Sequence, residues 1–315
     1  MNSPFRYAGG KFYARKLILE HLPPHQSYIE PFAGGASIFF VKDKAANNWL
    51  NDIDEELVNC YLIIRDYAKD LIDALAGEEA TKERHTFYKK EFRASNELER
   101  AQRWYYLNRT SYSGIMNMAN CFWGYGDKYS MRPENWPRNI LRTSEKLQGV
   151  RITNWDFERV LLEVPQDAFL FVDPPYFNAD QDKFYACSFK RDDHYRLANS
   201  LRRIDSYVNF LLTYDNSPEI TALYQWVAQI HEKEWNYTIA RTDDQKDKSN
   251  ETKGSRSKGR EVFIVNYSSP DEPVAPQQLP LLPLAEIVKQ SPEKAKGTSR
   301  CSPSHCSAQL TLLEN

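Results

Sequence analysis

The chain has 315 residues, 41% of them hydrophobic and 27% charged, and a net charge of −2 at pH 7. That length can bury one large core, or a main domain with a smaller companion. Bulk charge does not mark a polyanion binder, so any such face has to be local. Cys60, Cys121, Cys187, Cys301 and Cys306 are scattered, with no Cys-x-x-Cys and no partnered His spacing. This argues against a zinc site and fits a reducing compartment. There is no apolar run of about 18 residues and no signal-peptide core at the start. A soluble, cytoplasmic protein without a membrane contact is expected.

Phe5-Arg-Tyr-Ala-Gly-Gly-Lys11 comes first. Two glycines before a lysine make a flexible turn, and the spacing of Leu17, Ile18 and Leu22 predicts a helix that Pro23-Pro24 ends. The Walker pattern is missing, so the loop reads as a lid over an anionic or carboxylate-bearing ligand. Tyr28 to Phe40 predicts strand, glycine turn and helix. Small residues at 33–36 let the backbone approach a ligand, and the helix from Ser37 would aim its N–H groups at it. Trp49 to Asp54 predicts a second strand with Asp52 at its end. An acid about twenty residues after a glycine turn is where ribose hydroxyls are held, although Asp52 could equally cap the helix expected over 55–64.

From Asn59 to Leu107 the pattern is helical and charged. Residues 107–116 then break it with small polar side chains. Phe122 to Ser130 predicts a β-hairpin turning at Gly126-Asp127. Residues 60–147 are therefore expected as a mainly helical insert. Over 82–151 there are 14 Lys/Arg against 7 Asp/Glu, interleaved with many aromatics. That mixture suits a polyanion with stackable bases, and equally a solvated helical face over an aromatic core. The sheet resumes at Val150–Thr153, with Asp156 and Phe157 just beyond.

Ala168–Val172 predicts a strand buried on both faces. It ends at Asp173, because Pro174 and Pro175 cannot donate ladder hydrogen bonds. A carboxylate and two prolyl carbonyls offer acceptors to one amino group, and Tyr176 offers a flat face. Together they suit the exocyclic amine of a nucleobase. A helix over 194–204, a strand over 208–214 and a helix over 219–226 follow, and 227–237 with 261–267 should form a terminal antiparallel pair. The polar, basic loop between them, 241–260, could track phosphates. From 268 to 315 no core pattern survives, and a disordered tail is expected.

In this order and spacing, Ala8–Lys11, Glu30–Ser37, the insert and Asp173–Tyr176 resemble the Dam-type adenine-N6 DNA methyltransferases, the D12 class with the alpha-group motif order. The resemblance spans 5–267. It implies a Rossmann-like α/β methyltransferase sheet over 1–59 and 148–267, with 60–147 as target-recognition insert carrying the hairpin. It implies S-adenosylmethionine as cofactor and methyl transfer to adenine N6 in double-stranded DNA. By matching position, Tyr7, Lys11, Glu30, Phe32, Gly34, Gly35, Asp52, Asp156, Phe157 and Asp173 would hold the cofactor. Asp173, Pro174, Pro175 and Tyr176 would be catalytic. Asn108, Arg109, Tyr112, Trp123, Tyr125, Lys128 and Arg132 would face DNA.

The resemblance further implies a flipped target base and direct in-line transfer. It leaves room for a restriction endonuclease partner, with the chain itself a monomer. Tyr7 stands where tryptophan is frequent, and Gly34-Gly35-Ala36 where Gly-Ala-Gly is. The Phe-Asn-x-Pro-Phe-Gly stretch of GATC-reading members is absent between Met116 and Trp136, so the target sequence stays open. Cytosine-N4 methylation on the same fold, a protein-glutamine methyltransferase and an inactive DNA-binding module are the alternatives. The first more often carries Ser at Asp173 and the second Asn.

Overall fold

A computed structural model describes residues 1–7, 9–126, 130–178, 187–227, 229–236 and 258–268. The strands are β1 (Ser27–Glu30), β2 (Asn47–Asn51), β3 (Arg151–Thr153), β4 (Ala168–Val172), β5 (Asn209–Asp215), β6 (Gln229–Asn236) and β7 (Lys258–Val265). β4 is buried along its whole length. Strand alternation sends Ala168, Leu170 and Val172 to one core and Phe169 and Phe171 to the other. The strands form one seven-stranded sheet in the order β3-β2-β1-β4-β5-β7-β6. β1 to β5 run parallel, while β7 pairs antiparallel with both β5 and β6. The terminal antiparallel pair expected over 227–237 and 261–267 is thus present as β6 and β7. β7 starts three residues earlier than expected, at Lys258, and residues 241–257 and 269–315 lie outside the described part.

The helices are α1 (Arg15–Glu20), α2 (Ser37–Val41), α3 (Glu55–Asp66), α4 (Ala68–Ala74), α5 (Lys82–Lys90), α6 (Glu97–Thr110), α7 (Trp136–Leu147), α8 (Phe157–Leu162), α9 (Arg191–Ile204) and α10 (Pro218–Leu223). α3 to α7 all lie between β2 and β3, where the helical insert was expected. Asp54, Thr81 and Asn96 cap α3, α5 and α6 by accepting from backbone N–H groups of the first turn. Tyr88, Trp104, Tyr105, Tyr106 and Trp136 are buried, and Tyr88 stacks on Tyr106 at 4.4 Å. These five rings share one hydrophobic core with Phe5, Tyr28, Phe39, Phe169 and Phe171. Tyr112 and Phe122 remain exposed.

The hairpin expected over 122–130 is not a strand pair among the described residues. Trp123 instead forms an isolated bridge with Ser111, and Tyr112 N–H donates to Phe122 O at 2.8 Å. The aromatic arm pairs with the end of α6 because that chain break leaves backbone groups there to satisfy. The turn itself, 127–129 with Lys128, lies outside the described residues.

Candidate active site

β1 and β4 are neighbours, and the chain leaves them toward opposite sides of the sheet. At such a switch point the carboxyl ends diverge and open a crevice. A cavity of about 290 Å³ lies there. Its floor is the turn after β1. Gly34 has φ +45°, and a Cβ on it would stand 2.8 Å from the Tyr7 ring, so the position needs glycine. Its N–H donates to Asp52 Oδ2 at 2.8 Å, and its carbonyl accepts from Tyr61 Oη at 2.8 Å. α2 behind the turn has only five residues, so its dipole is weaker than a full helix would give.

Four carboxylates line the cavity: Glu30, Asp52, Asp54 and Asp173. Among the described residues, the one basic side chain lining it is Lys11. Glu30 ends β1, buried, and accepts from Tyr28 Oη at 2.7 Å and Phe39 N–H at 2.9 Å. Burial pushes its carboxyl up to about 8 despite those bonds. Burial likewise pushes Asp52 up to about 6. Such a lining suits a cation and repels a pyrophosphate.

Asp173 leaves the end of β4 on the proline turn. Its Oδ1 takes the Lys11 ammonium at 2.6 Å and the Thr213 hydroxyl of β5 at 2.7 Å. Lys11 Nζ also donates to Gly9 O at 3.1 Å and lies 4.9 Å from the Tyr176 ring centre. Asp215 ends β5 and fixes the next turn, accepting from Phe177 N–H at 3.0 Å and Asn178 Nδ2 at 2.8 Å. Thr213, Asp215 and the buried Glu261 of β7 were not among the residues expected from sequence. The signal for Asp215 was its place at a strand's carboxyl end. For Glu261 it was an acid opening an otherwise apolar strand.

Tyr7, Lys11, Glu30, Phe32, Gly34, Gly35, Asp52, Asp173, Pro174, Pro175 and Tyr176 all line this one cavity. Asp156 and Phe157 do not. α8 begins there, so Asp156 caps it through Glu158 N–H at 2.9 Å and pairs with Arg196 at 2.9 Å. Phe157 is buried behind the wall, 5.4 Å from Phe32. Asn108 and Arg109, expected to face DNA, are turned inward. Asn108 Oδ1 accepts from Arg6 N–H at 3.1 Å, its Nδ2 donates to Arg6 O at 2.7 Å, and Arg109 Nη1 donates to Pro4 O at 3.1 Å. Both brace the segment that carries Tyr7 and Lys11. Tyr112 and Arg132 are exposed, and Trp123 and Tyr125 half-buried, with rings 5.8 Å apart.

Among the described residues no group of three or more His, Cys, Asp or Glu could hold a metal ion, and no helix is long and apolar enough to cross a membrane. Three relatives illustrate what the chain is similar to. A type II methyltransferase of Lactococcus lactis subsp. cremoris, M1.LlaDCHI, is 28% identical over 292 residues, covering 84% of this chain and 96% of that one. A type II methyltransferase of Methanocaldococcus jannaschii, M.MjaIII, is 29% identical over 64% of this chain and 80% of its own. The DNA adenine methylase of Serratia marcescens is 27% identical over 75% and 91%. A family model described as D12 class N6 adenine-specific DNA methyltransferase matches residues 7–239. With that match spanning the glycine turn, the insert and the Asp173 turn, the chain belongs to the D12 class of N6 adenine-specific DNA methyltransferases.

Proposed function

We propose that this chain transfers a methyl group from S-adenosylmethionine to N6 of an adenine flipped out of double-stranded DNA. Methyltransferases use S-adenosylmethionine in general. The observation that carries its use here is the cavity at the β1–β4 switch point, with four carboxylates, one lysine and a glycine turn. A cofactor bearing a sulfonium and an ammonium fits that charge pattern. Glu30 and Asp52 would face its positive and hydroxyl groups, and Tyr7 and Phe32 would close around its apolar parts. When bound, it supplies an electrophilic methyl group.

The chain's own residues do the rest. Asp173 is fixed through Oδ1 by Lys11 and Thr213, which leaves Oδ2 to accept from the N6 amine. The Pro174 carbonyl accepts the second N6 hydrogen. Both bonds draw the nitrogen lone pair out of conjugation with the ring, toward the methyl group. Tyr176 replaces the stacking that the base loses on leaving the duplex, a cost of about a few kcal/mol. The N6–C bond forms as the S–C bond breaks, and the amine then releases one proton to solvent.

We assign residues 1–59 and 148–267 to catalysis and 60–147 to target recognition. Tyr112, Trp123, Tyr125, Lys128 and Arg132 are the proposed DNA face. Asn108 and Arg109 serve that face indirectly, by holding the cofactor loop. The reading also includes action as a monomer in the cytoplasm, with room for an endonuclease partner. Incubating the protein with unmethylated plasmid DNA and cofactor, then sequencing for modified positions, tests it. The expected result is modified adenine within one short sequence. Unmodified DNA under conditions where the cofactor binds would contradict it.

A further inference from the structure

Thr213, Tyr214 and Asp215 are consecutive in β5, and each meets the turn that follows β4. Thr213 donates to Asp173 Oδ1 at 2.7 Å, and Asp215 accepts from Phe177 N–H at 3.0 Å. Strand alternation sends Tyr214 to the opposite face. There its ring lies 6.1 Å from the Tyr176 ring. A buried tyrosine hydroxyl needs a partner. Here the partner is His194 of α9, whose Nδ1 shares a 2.5 Å hydrogen bond with Tyr214 Oη. Both residues are buried. The imidazole also meets the Phe177 ring at 5.0 Å and the Phe189 ring, edge-on, at 4.7 Å. Phe189 lines the cavity and stands 5.5 Å from Phe32. One histidine thus touches the chain just after the Asp-Pro-Pro-Tyr turn, the cavity wall and the ring beside Tyr176. Burial pushes its pKa down to about 4, against Asp215 and Asp193, so the ring is neutral near pH 7.

We propose that His194 is a positioning residue for methyl transfer: through the Tyr214 hydroxyl it fixes the ring against which Tyr176 packs, and so the plane that Tyr176 offers to a flat base. The inference rests on the methyl-transfer reading of this site. Three neighbours on one strand then divide the work. Thr213 orients the Asp173 carboxylate, Asp215 holds the backbone after Tyr176, and Tyr214 supports the Tyr176 ring. A ring held by packing alone can tilt about its side-chain bonds. A hydrogen bond at its far end removes that freedom. The base has to lie with N6 in line with the methyl group, and a misplacement of about 1 Å can cost about a hundredfold in rate.

The test measures methyl transfer from labelled S-adenosylmethionine to unmethylated plasmid DNA by wild type, H194F, Y214F, Y176A and Y176A/Y214F. Rates are expressed per cofactor-binding protein. H194F keeps a ring between Phe177 and Phe189, and Y214F keeps a ring beside Tyr176, so each removes little besides the bond. Each should lower kcat about tenfold and hold the KM for cofactor within about twofold, because the base is misplaced and the cofactor is not. Y176A/Y214F should be no slower than Y176A, because Tyr214 acts through that ring. A bond that serves stability alone would lower the melting temperature and leave kcat at the wild-type level in either single variant, and that result overturns the proposal. Losses that add fully in Y176A/Y214F overturn it too. Should H194F not fold, Y214F and its double variant decide alone. A wild-type protein that transfers no methyl group to DNA would instead sink the underlying reading.

Discussion

Two donors on one oxygen of Asp173 set the plane of the whole carboxylate, and charge-assisted bonds of this length are strong. A preset acceptor needs no reorganisation when the amine arrives. Glu30 shows how the same cavity couples to pH. Its carboxyl is pushed up to about 8 from an ordinary value near 4.5. Between those values the folded protein holds a proton that the unfolded chain has lost, so the ligand-free fold loses stability as pH rises through that window. A cationic cofactor favours the ionised form, so binding should release a proton below about pH 8. Calorimetry at pH 6.5 and 8 in two buffers of different ionisation heat should find several-fold tighter binding at the higher pH, with proton release at the lower. E30Q should flatten that dependence, and equal heats in both buffers would contradict the assignment. The Asp-Pro-Pro-Tyr turn was legible in the sequence because its geometry is local: a strand, two prolines, an aromatic. Thr213 and Glu261 were not, because strand register brings them there, and register is a property of the sheet.

Tyr7 and Lys11 line the cavity, and the backbone just before them is held by the end of α6. Asn108 clamps both backbone groups of Arg6, and Arg109 takes the Pro4 carbonyl. Gly114 has φ +70°, and a Cβ there would stand 2.2 Å from the Arg6 carbonyl oxygen. N108A leaves two part-buried backbone groups of Arg6 without these bonds, each bond worth about 0.5–1.5 kcal/mol. It should lower the melting temperature and weaken cofactor binding by tenfold or more, since Tyr7 and Lys11 follow Arg6. A lowered melting temperature with unchanged cofactor affinity would separate the brace from the site. Helical spacing carried this information, because Asn108 follows the buried Trp104 by one turn and shares its face. The same arithmetic explains Asp156. Its position past β3 makes it the N-cap of α8, where its side chain accepts from the Glu158 N–H.

Across the whole molecule, the net charge of −2 conceals a basic stretch, with 14 Lys/Arg against 7 Asp/Glu over 82–151. Tyr88, Trp104, Tyr105, Tyr106 and Trp136 of this stretch are buried, and we propose that its basic side chains are what meets phosphates. Arg132, Arg138 and Arg142 are exposed on it. Affinity for duplex DNA should therefore fall steeply with salt, by about 0.9 in log units per log unit of salt for each phosphate neutralised. A flat response between low and physiological salt would remove the insert as the DNA face. The strands β1 to β5 and the helices between β2 and β3 were legible from apolar runs and helical period, whereas the order of the strands in the sheet was not. The pairing of Trp123 with Ser111 was not, because it depends on where α6 ends. In the proposed mechanism Asp173 directs methyl transfer to adenine N6. Its most direct test is to incubate wild type and D173A with methyl-labelled S-adenosylmethionine and unmethylated duplex DNA, digest to nucleosides, and weigh the products by mass spectrometry. Wild type should give labelled N6-methyldeoxyadenosine, and D173A at least about a thousandfold less while still binding cofactor. Label in N4-methyldeoxycytidine, or undiminished N6-methyldeoxyadenosine from D173A, would contradict it.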